Sequence, residues 1–289
     1  MTILVTGGGG QVGSELAQRL GAGGVALDRA ALDITGDDAI ARALDSARPT
    51  IVINTAAYTA VDHAEDDEDA AFAINAEAPA RLARACAMRG IALWHLSTDY
   101  VFDGRLDRPY RPDDRPNPAS VYGRSKLAGE QAVLAAGEAH MVWRVSWVFG
   151  AGGANFVRTM LQLGEERDVL RVVADQVGGP TPADALAETL LALAWRADAG
   201  EVRPSGLWHF AGQPWVSWYG FAEAIFARAV ASGLLERAPD LAPIVSADFP
   251  TRAARPANSR LDMAATTAGL GIKPPDWRAG LDRMLAVLA

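Results

Sequence analysis

The sequence predicts an α/β protein: a doubly wound parallel sheet carrying a smaller, interleaved α/β domain. Three observations lead there. A glycine-rich turn joins an apolar strand to a helix at the N-terminus. Strand-length apolar runs alternate with helix-length stretches as far as residue 150, the rhythm that builds a parallel sheet covered by helices on both faces. Beyond residue 150 that rhythm changes. At 289 residues the chain can bury a sizeable core as one large domain or two interleaved ones.

The first strand, residues 2–6, runs into Gly7-Gly8-Gly9-Gly10-Gln11-Val12-Gly13, and a helix follows over about 11–20. Gly7, Gly10 and Gly13 fit Gly-x-x-Gly-x-x-Gly, and Gly8, Gly10 and Gly13 fit Gly-x-Gly-x-x-Gly. Such glycines serve a tight turn, close approach of backbone to a pyrophosphate, and close helix-on-strand packing. The helix start adds unpaired N–H groups and a positive dipole end. A glycine fingerprint alone is weak, but this one follows a strand and opens a helix, as a Rossmann-type dinucleotide site requires.

The second strand, 24–27, ends in Asp28-Arg29. A carboxylate there suits the ribose hydroxyls of NAD, whereas Arg29 suits the 2′-phosphate of NADP, so the preference stays open. Asp33-Ile34 follows, placed to flank an adenine. Residues 37–47 read as a helix and 50–54 as a strand buried on both faces. That strand ends in Thr55-Ala56-Ala57-Tyr58-Thr59, small residues against which a cofactor could lie. An acidic run over 65–69 suits a helix start, and a helix continues over 75–89. The strand 91–96 ends in Ser97-Thr98-Asp99-Tyr100; polar residues at the C-terminal end of a parallel strand face the ligand crevice, where Thr98 could bond a substrate oxygen. Residues 105–118, with four prolines, read as an exposed loop. A helix over 120 to about 136 and a strand over 140–148 complete this half.

The helix at 120–136 holds the chemistry. Tyr122 and Lys126 lie four residues apart, which brings them to one helix face. A phenol beside an ammonium is a proton donor whose pKa the cation lowers. Of 27 lysines and arginines only Lys126 and Lys273 are lysines, and there are five tyrosines. Roughly 0.03 chance pairs are expected at this spacing. A lysine's compact charge is not interchangeable with a guanidinium fork.

After Gly150 the sequence predicts a helix over 155–167, a strand over 170–174, a helix from 182 to about 198, a strand over 206–211 and a helix over 218–233. An irregular stretch, 239–256, a short helix capped by residues 258–262, and a last helix over 276–288 follow. Residues 1–150 with about 181–212 are expected to form the dinucleotide-binding domain, and about 151–180 with 213–289 the substrate domain. The tryptophans of this half read mostly as core, with Trp147 the best placed to line a pocket.

A net charge of −8 and an acidic pI near 5.1 argue against nucleic acid or an anionic membrane as partner. A single cysteine, Cys86, allows no internal disulfide and suits a reducing cytoplasm; it reads as a small buried thiol. Met1-Thr2-Ile3-Leu4-Val5 has no basic leader, and no apolar run reaches membrane-spanning length.

Taken together, these motifs resemble the extended short-chain dehydrogenase/reductase superfamily and, within it, the dTDP-4-dehydrorhamnose reductase family. The residues that carry the resemblance are the Gly7 to Gly13 loop, Ala56-Ala57-Tyr58-Thr59-Ala60-Val61-Asp62-His63-Ala64-Glu65, Ser97-Thr98-Asp99-Tyr100-Val101-Phe102 and Val121-Tyr122-Gly123-Arg124-Ser125-Lys126-Leu127-Ala128-Gly129-Glu130. Arg144-Val145-Ser146-Trp147-Val148, Asp175-Gln176 through Pro180-Thr181, and Arg255-Pro256-Ala257-Asn258-Ser259 extend it over nearly the whole chain.

The resemblance implies reduction of the C4 ketone of dTDP-4-dehydro-β-L-rhamnose with NADPH or NADH. It implies Tyr122 as general acid, Lys126 as its modulator and a holder of the nicotinamide ribose, and Thr98 as a donor to the ketone. It implies cofactor contacts at Gly10, Gln11, Val12, Asp28, Asp33, Ile34, Ala57, Tyr58 and Thr59, and sugar-nucleotide contacts at Thr98, Asp99, Tyr122 and Trp147. Some relatives bind Mg²⁺ at a dimer interface through clustered glutamates. Glu15 is retained here, but the last helix ends without a glutamate, which counts against the metal and that dimer and leaves a homodimer open. Two other readings stand beside this one: a related 4-ketoreductase acting on another nucleotide sugar, and a non-catalytic regulatory subunit similar to that of methionine adenosyltransferase, since fold alone does not decide function.

Overall fold

The computed structural model describes residues 2–289; Met1, where the predicted first domain begins, lies outside them. The first half runs β1 (Ile3–Thr6), α1 (Gln11–Leu20), β2 (Gly24–Leu27), α2 (Asp37–Ala47), β3 (Ile51–Asn54), α3 (Val61–Ala64), α4 (Glu68–Phe72), α5 (Ala78–Ala87), β4 (Ala92–Thr98), α6 (Val121–Ala136) and β5 (Met141–Val145). The second half runs β6 (Val148–Phe149), α7 (Phe156–Glu166), β7 (Val169–Val173), β8 (Val177–Gly178), β9 (Thr181–Pro182), α8 (Ala183–Asp198), β10 (Gly206–Phe210), β11 (Val216–Ser217), α9 (Trp218–Ala231), β12 (Asp240–Ile244), β13 (Asn258–Ser259), α10 (Ala264–Leu270) and α11 (Trp277–Leu288).

Six strands form one sheet in the order β10-β5-β4-β3-β1-β2. Every pairing in it is parallel, as expected of the doubly wound class. Alternate residues feed opposite faces. Ile3, Val5, Ile51, Ile53, Trp94 and Trp143 pack with α1 and α8, whereas Leu4, Val52, Leu93 and Val142 pack with α2, α5 and α6. The chain crosses from β2 over β1 to β3, so strand order reverses between β1 and β3. A parallel sheet opens a ligand crevice at the C-terminal ends of its strands at such a point.

A separate core gathers α7, α9, α11, β7 and Phe149 around Phe221, Phe226 and Trp277. Its edge is the parallel pair β7–β12. The sequence reading left residues 240–244 irregular. Their Pro243 and Asp240 argue against a strand, and only pairing with β7 makes them one.

Three other differences concern the site. The strand expected over 140–148 ends at Val145, because Trp147 adopts a left-handed backbone (φ 49°); the chain resumes as β6, paired with β9. Residues 97 and 98 continue β4 rather than leaving it. The helix expected from residue 75 opens with a wider π turn over Ala73–Glu77. The 105–118 loop is also less exposed than its prolines suggest. Tyr110 is buried, stacks on Phe102 with ring centroids 4.1 Å apart, and its hydroxyl donates to Asp103.

Candidate active site

The glycine loop forms one wall. Gly7 lies in the left-handed region (φ +74°), and a side chain there would press within 2.6 Å of the Ala56 backbone nitrogen, across the β1–β3 gap. At Gly13 a Cβ would come within 2.1 Å of the Gly7 carbonyl oxygen. The loop is therefore closed to side chains at two points, which leaves the start of α1 open toward the crevice.

From this wall extends a cavity of about 960 Å³, the volume range of a drug-sized pocket at its upper end. Its lining runs from Asp28, Arg29, Asp33 and Ile34 at one end, past Gly7, Gly10, Gln11, Val12, Ala57 and Thr59, to Thr98, Asp99, Tyr122, Lys126 and Trp147 at the other. Tyr58 and Gly13, both expected cofactor contacts, do not border it. Tyr58 instead packs toward Val121, and its backbone N–H and C=O both bond the Asn75 side chain, at 2.8 and 3.0 Å. The π turn aims Asn75 there, and Gly129 of α6 is what lets that turn approach: a Cβ would meet the Asn75 backbone carbonyl oxygen at 2.0 Å.

At the far end of the cavity, Ser120 caps α6 by accepting from the Gly123 N–H. This fixes the first turn, and Tyr122 with it, against Tyr100 at a ring distance of 5.5 Å. Burial pushes the Tyr122 phenol above its ordinary pKa, with Thr98 acting against that and Asp99 adding to it. The lowering expected from Lys126 is absent. The Lys126 amine lies against the sheet, donating to the Leu96 carbonyl at 2.6 Å and standing 3.2 Å from His95 Nε2. Burial pulls its pKa down to about 8, while Glu130 acts to raise it.

Thr98 ends β4. Its hydroxyl donates to Asp99 Oδ1 at 3.1 Å and accepts from the Tyr100 N–H. Asp99 is buried, its Oδ2 has no partner, and burial raises its pKa to about 6 against hydrogen bonds from Ser259 and Thr98. Behind these residues Glu130 and Arg144 form a buried ion pair, Nη2 to Oε2 at 2.7 Å. Ser97 donates to the same carboxylate at 2.5 Å, so α6, β4 and β5 are tied together beside the site.

Trp147 owes its place to the broken strand. The turn delivers its ring over Gly178, where a Cβ would strike the indole at 2.5 Å, and stacks it on Trp218 with centroids 3.4 Å apart. Trp218 also lines the cavity; nothing in its local sequence separates it from a core tryptophan. Arg255, which the sequence reading counted toward the resemblance but gave no role in the site, is a second such residue. It reaches the cavity from the last third of the chain, paired with Asp62 at 2.6 Å and donating to the Tyr100 hydroxyl at 3.1 Å.

The end of the cavity at Asp28 and Asp33 holds its groups in turns. Asp28 accepts from the Ala31 N–H, and Asp33 from Thr35. The Thr35 bonds, backbone first, hold the Asp33 carboxyl below its usual range. Among the described residues no three His, Cys, Asp or Glu are grouped to hold a metal ion, and Glu15 pairs with Arg19.

The whole chain, residues 1–289, matches the family model described as RmlD substrate binding domain. It is 44% identical over 288 residues to the dTDP-4-dehydrorhamnose reductase of Aggregatibacter actinomycetemcomitans, with 98% of each chain covered. The chain belongs to the dTDP-4-dehydrorhamnose reductase family. The family's enzyme from Escherichia coli is 38% identical, with 99% of this chain and 97% of that one covered. Among solved structures, the family member from Clostridium acetobutylicum superposes with a TM-score of 0.91 at 36% identity, covering 100% and 99% of the two chains. That from Bacillus anthracis, in complex with NADP, has a TM-score of 0.91 at 34% identity with 99% of both covered.

Proposed function

We propose that this chain reduces the C4 ketone of dTDP-4-dehydro-β-L-rhamnose to dTDP-β-L-rhamnose with NADPH, NADH being the other candidate reductant. The observation that supports this most is convergence. The glycine loop and the Thr98, Tyr122 and Lys126 side chains border one cavity. The named relatives, and the family member bound to NADP, point the same way.

The residues fit a dinucleotide. Backbone N–H groups at the start of α1 and the closed turn at Gly7 suit a pyrophosphate, and Asp28, Arg29, Asp33 and Ile34 suit the adenosine end. Ala57, Tyr58 and Thr59 would flank the cofactor, Tyr58 through the backbone segment that Asn75 holds. When bound, the nicotinamide supplies the hydride. The protein supplies position and a proton. The raised pKa of Tyr122 keeps its phenol protonated at neutral pH, the form a general acid needs. Tyr122 would donate that proton to the oxygen of the developing alkoxide. The Thr98 hydroxyl would turn from Asp99 to the same oxygen, where charge accumulates. Trp147 and Asp99 would contact the sugar nucleotide, and Arg255 offers a cation for its diphosphate. Lys126 would hold the nicotinamide ribose.

Residues 1–150 with about 181–212 would carry the dinucleotide, and about 151–180 with 213–289 would cover the sugar. The two cores support this division, although α10 lends Met263 and Leu270 to the sheet's side. The buried lone thiol of Cys86, with its pKa raised to about 12 by burial, suits a reducing cytoplasm.

The test is absorbance at the reduced nicotinamide band, with NADPH or NADH and dTDP-4-dehydro-L-rhamnose. Loss of absorbance that requires the sugar is expected. No sugar-dependent loss with either coenzyme would refute the reading.

A further inference from the structure

A polar line crosses the sheet beneath the cavity and ends at Lys126. Thr6 lies in register with Asn54, and Asn54 with His95, on three adjacent strands. All three side chains are fully buried. The Ala56 N–H donates to Asn54 Oδ1 at 3.1 Å, and the Thr6 hydroxyl donates to the same oxygen at 2.6 Å. A backbone N–H can only donate, so these bonds fix which end of the Asn54 amide is oxygen. Asn54 Nδ2 must then donate to His95 Nδ1, 3.0 Å away. A neutral imidazole that accepts at Nδ1 carries its proton on Nε2. Burial is the largest cause holding the His95 pKa well below its ordinary value, and by itself it favours the neutral ring. Its Nε2–H therefore faces Lys126 Nζ at 3.2 Å. Against an ammonium that is donor to donor; against an amine lone pair it is a hydrogen bond.

We propose that His95, oriented by Asn54 and Thr6, is a positioning residue that holds Lys126 as a neutral amine turned toward the Leu96 carbonyl in the cofactor-free protein. Lys126 gains its charge, with a proton from solvent, when it leaves His95 for the cavity. This accounts for the missing effect of Lys126 on Tyr122. The other charges around it leave room for the arrangement. Glu130, one turn along α6, is committed to Arg144 of β5 and to Ser97. On the short helices packed against α6, Glu65 accepts from the Val121 N–H and Glu68 pairs with Arg124. Asp99, just past the end of β4, acts on Tyr122, and neither is among the causes of the Lys126 shift.

Only the catalytic meaning of this rests on the proposed function; the state of Lys126 does not. The chain has two lysines and four histidines, so residue-selective labelling resolves both partners. Nitrogen NMR of labelled histidine should give His95 as the neutral Nε2–H tautomer at neutral pH. Carbon NMR of labelled lysine should give a Lys126 titration midpoint below about 7, so that the amine is neutral at neutral pH, rising by at least about one pH unit in His95→Phe. His95→Gln, whose amide can offer an N–H to Nζ and an oxygen to Asn54, should keep it low. Should the Phe variant not fold, Asn54→Asp serves instead. An acceptor opposite Nδ1 draws the ring proton there, presents a lone pair to Nζ and raises the Lys126 midpoint. An imidazolium or Nδ1–H tautomer at His95 overturns the proposal, as does an unchanged Lys126 midpoint in whichever of these variants folds. None of these readouts needs substrate, so failure of the reductase reading would leave them standing.

Discussion

Glu130 gives the sharpest test of how the site is held. Its carboxylate takes three contacts from Arg144, at 2.7, 2.9 and 3.2 Å, and one from Ser97 at 2.5 Å. Both ion-pair partners are nearly inaccessible, at 3% and 2% exposure. Glu130→Ala leaves a guanidinium and a hydroxyl buried without their acceptor. Breaking a buried pair from one side costs about 3–5 kcal/mol. For a chain of 289 residues, an unfolding entropy near ~2.1 cal/mol/K per residue converts that to a fall in Tm of about 5–8 °C. Replacing both partners by methionine should cost far less, within about 2 kcal/mol of the parent, because no uncompensated charge remains. Chemical denaturation of the parent, both single variants and the double variant closes the cycle. A loss below about 1 kcal/mol in Glu130→Ala would refute the reasoning, as would a double variant as unstable as the sum of the singles.

Gly13→Ala should weaken NADPH binding by at least about tenfold and cost about 1–3 kcal/mol of stability, since its Cβ would have to displace the Gly7 carbonyl; fluorescence titration and thermal melts measure both. Asp99→Asn tests an ionisation. The folded protein raises this pKa from 3.8 to about 6, so the charged form opposes folding; the penalty is absent below pH 4, grows as pH rises and is complete above about 6. The Asn variant should therefore gain on the parent between pH 4 and pH 7, by up to roughly 3 kcal/mol, as read by urea midpoints across pH. Trp218→Ala removes the platform under Trp147 and should raise the KM for the sugar nucleotide more than it lowers kcat, measured by initial rates.

Most of the half built on the six-stranded sheet was legible because its signals are local. A strand, a glycine turn and a helix start are contiguous, and Ser120 caps the Tyr122 helix within three residues. The sheet's burial on both faces also showed in the apolar run of β3. What stayed hidden depends on residues distant in sequence. Arg255 meets Asp62 across nearly two hundred positions, and Trp218 looks like core until Trp147 lies on it. The break at Trp147 was hidden because Val-Ser-Trp-Val reads as strand; beside the turn Ser146 bonds the distant Gly179 carbonyl at 2.8 Å. His95 sat inside an apolar strand and carried no motif. Its partners become visible only when β1, β3 and β4 are set in register. The direction of the Tyr122 shift also escaped the sequence, because spacing puts Lys126 on the right helix face but does not say where its amine rests.

The central claim is that Tyr122 donates the proton in a nicotinamide-dependent ketone reduction. Turnover of Tyr122→Phe with NADPH and dTDP-4-dehydro-L-rhamnose tests it most directly, alongside coenzyme binding as a check that the site is intact. The account predicts unchanged coenzyme affinity and turnover reduced by about 10²–10⁴. Turnover equal to the parent's, with the coenzyme still bound, would contradict it.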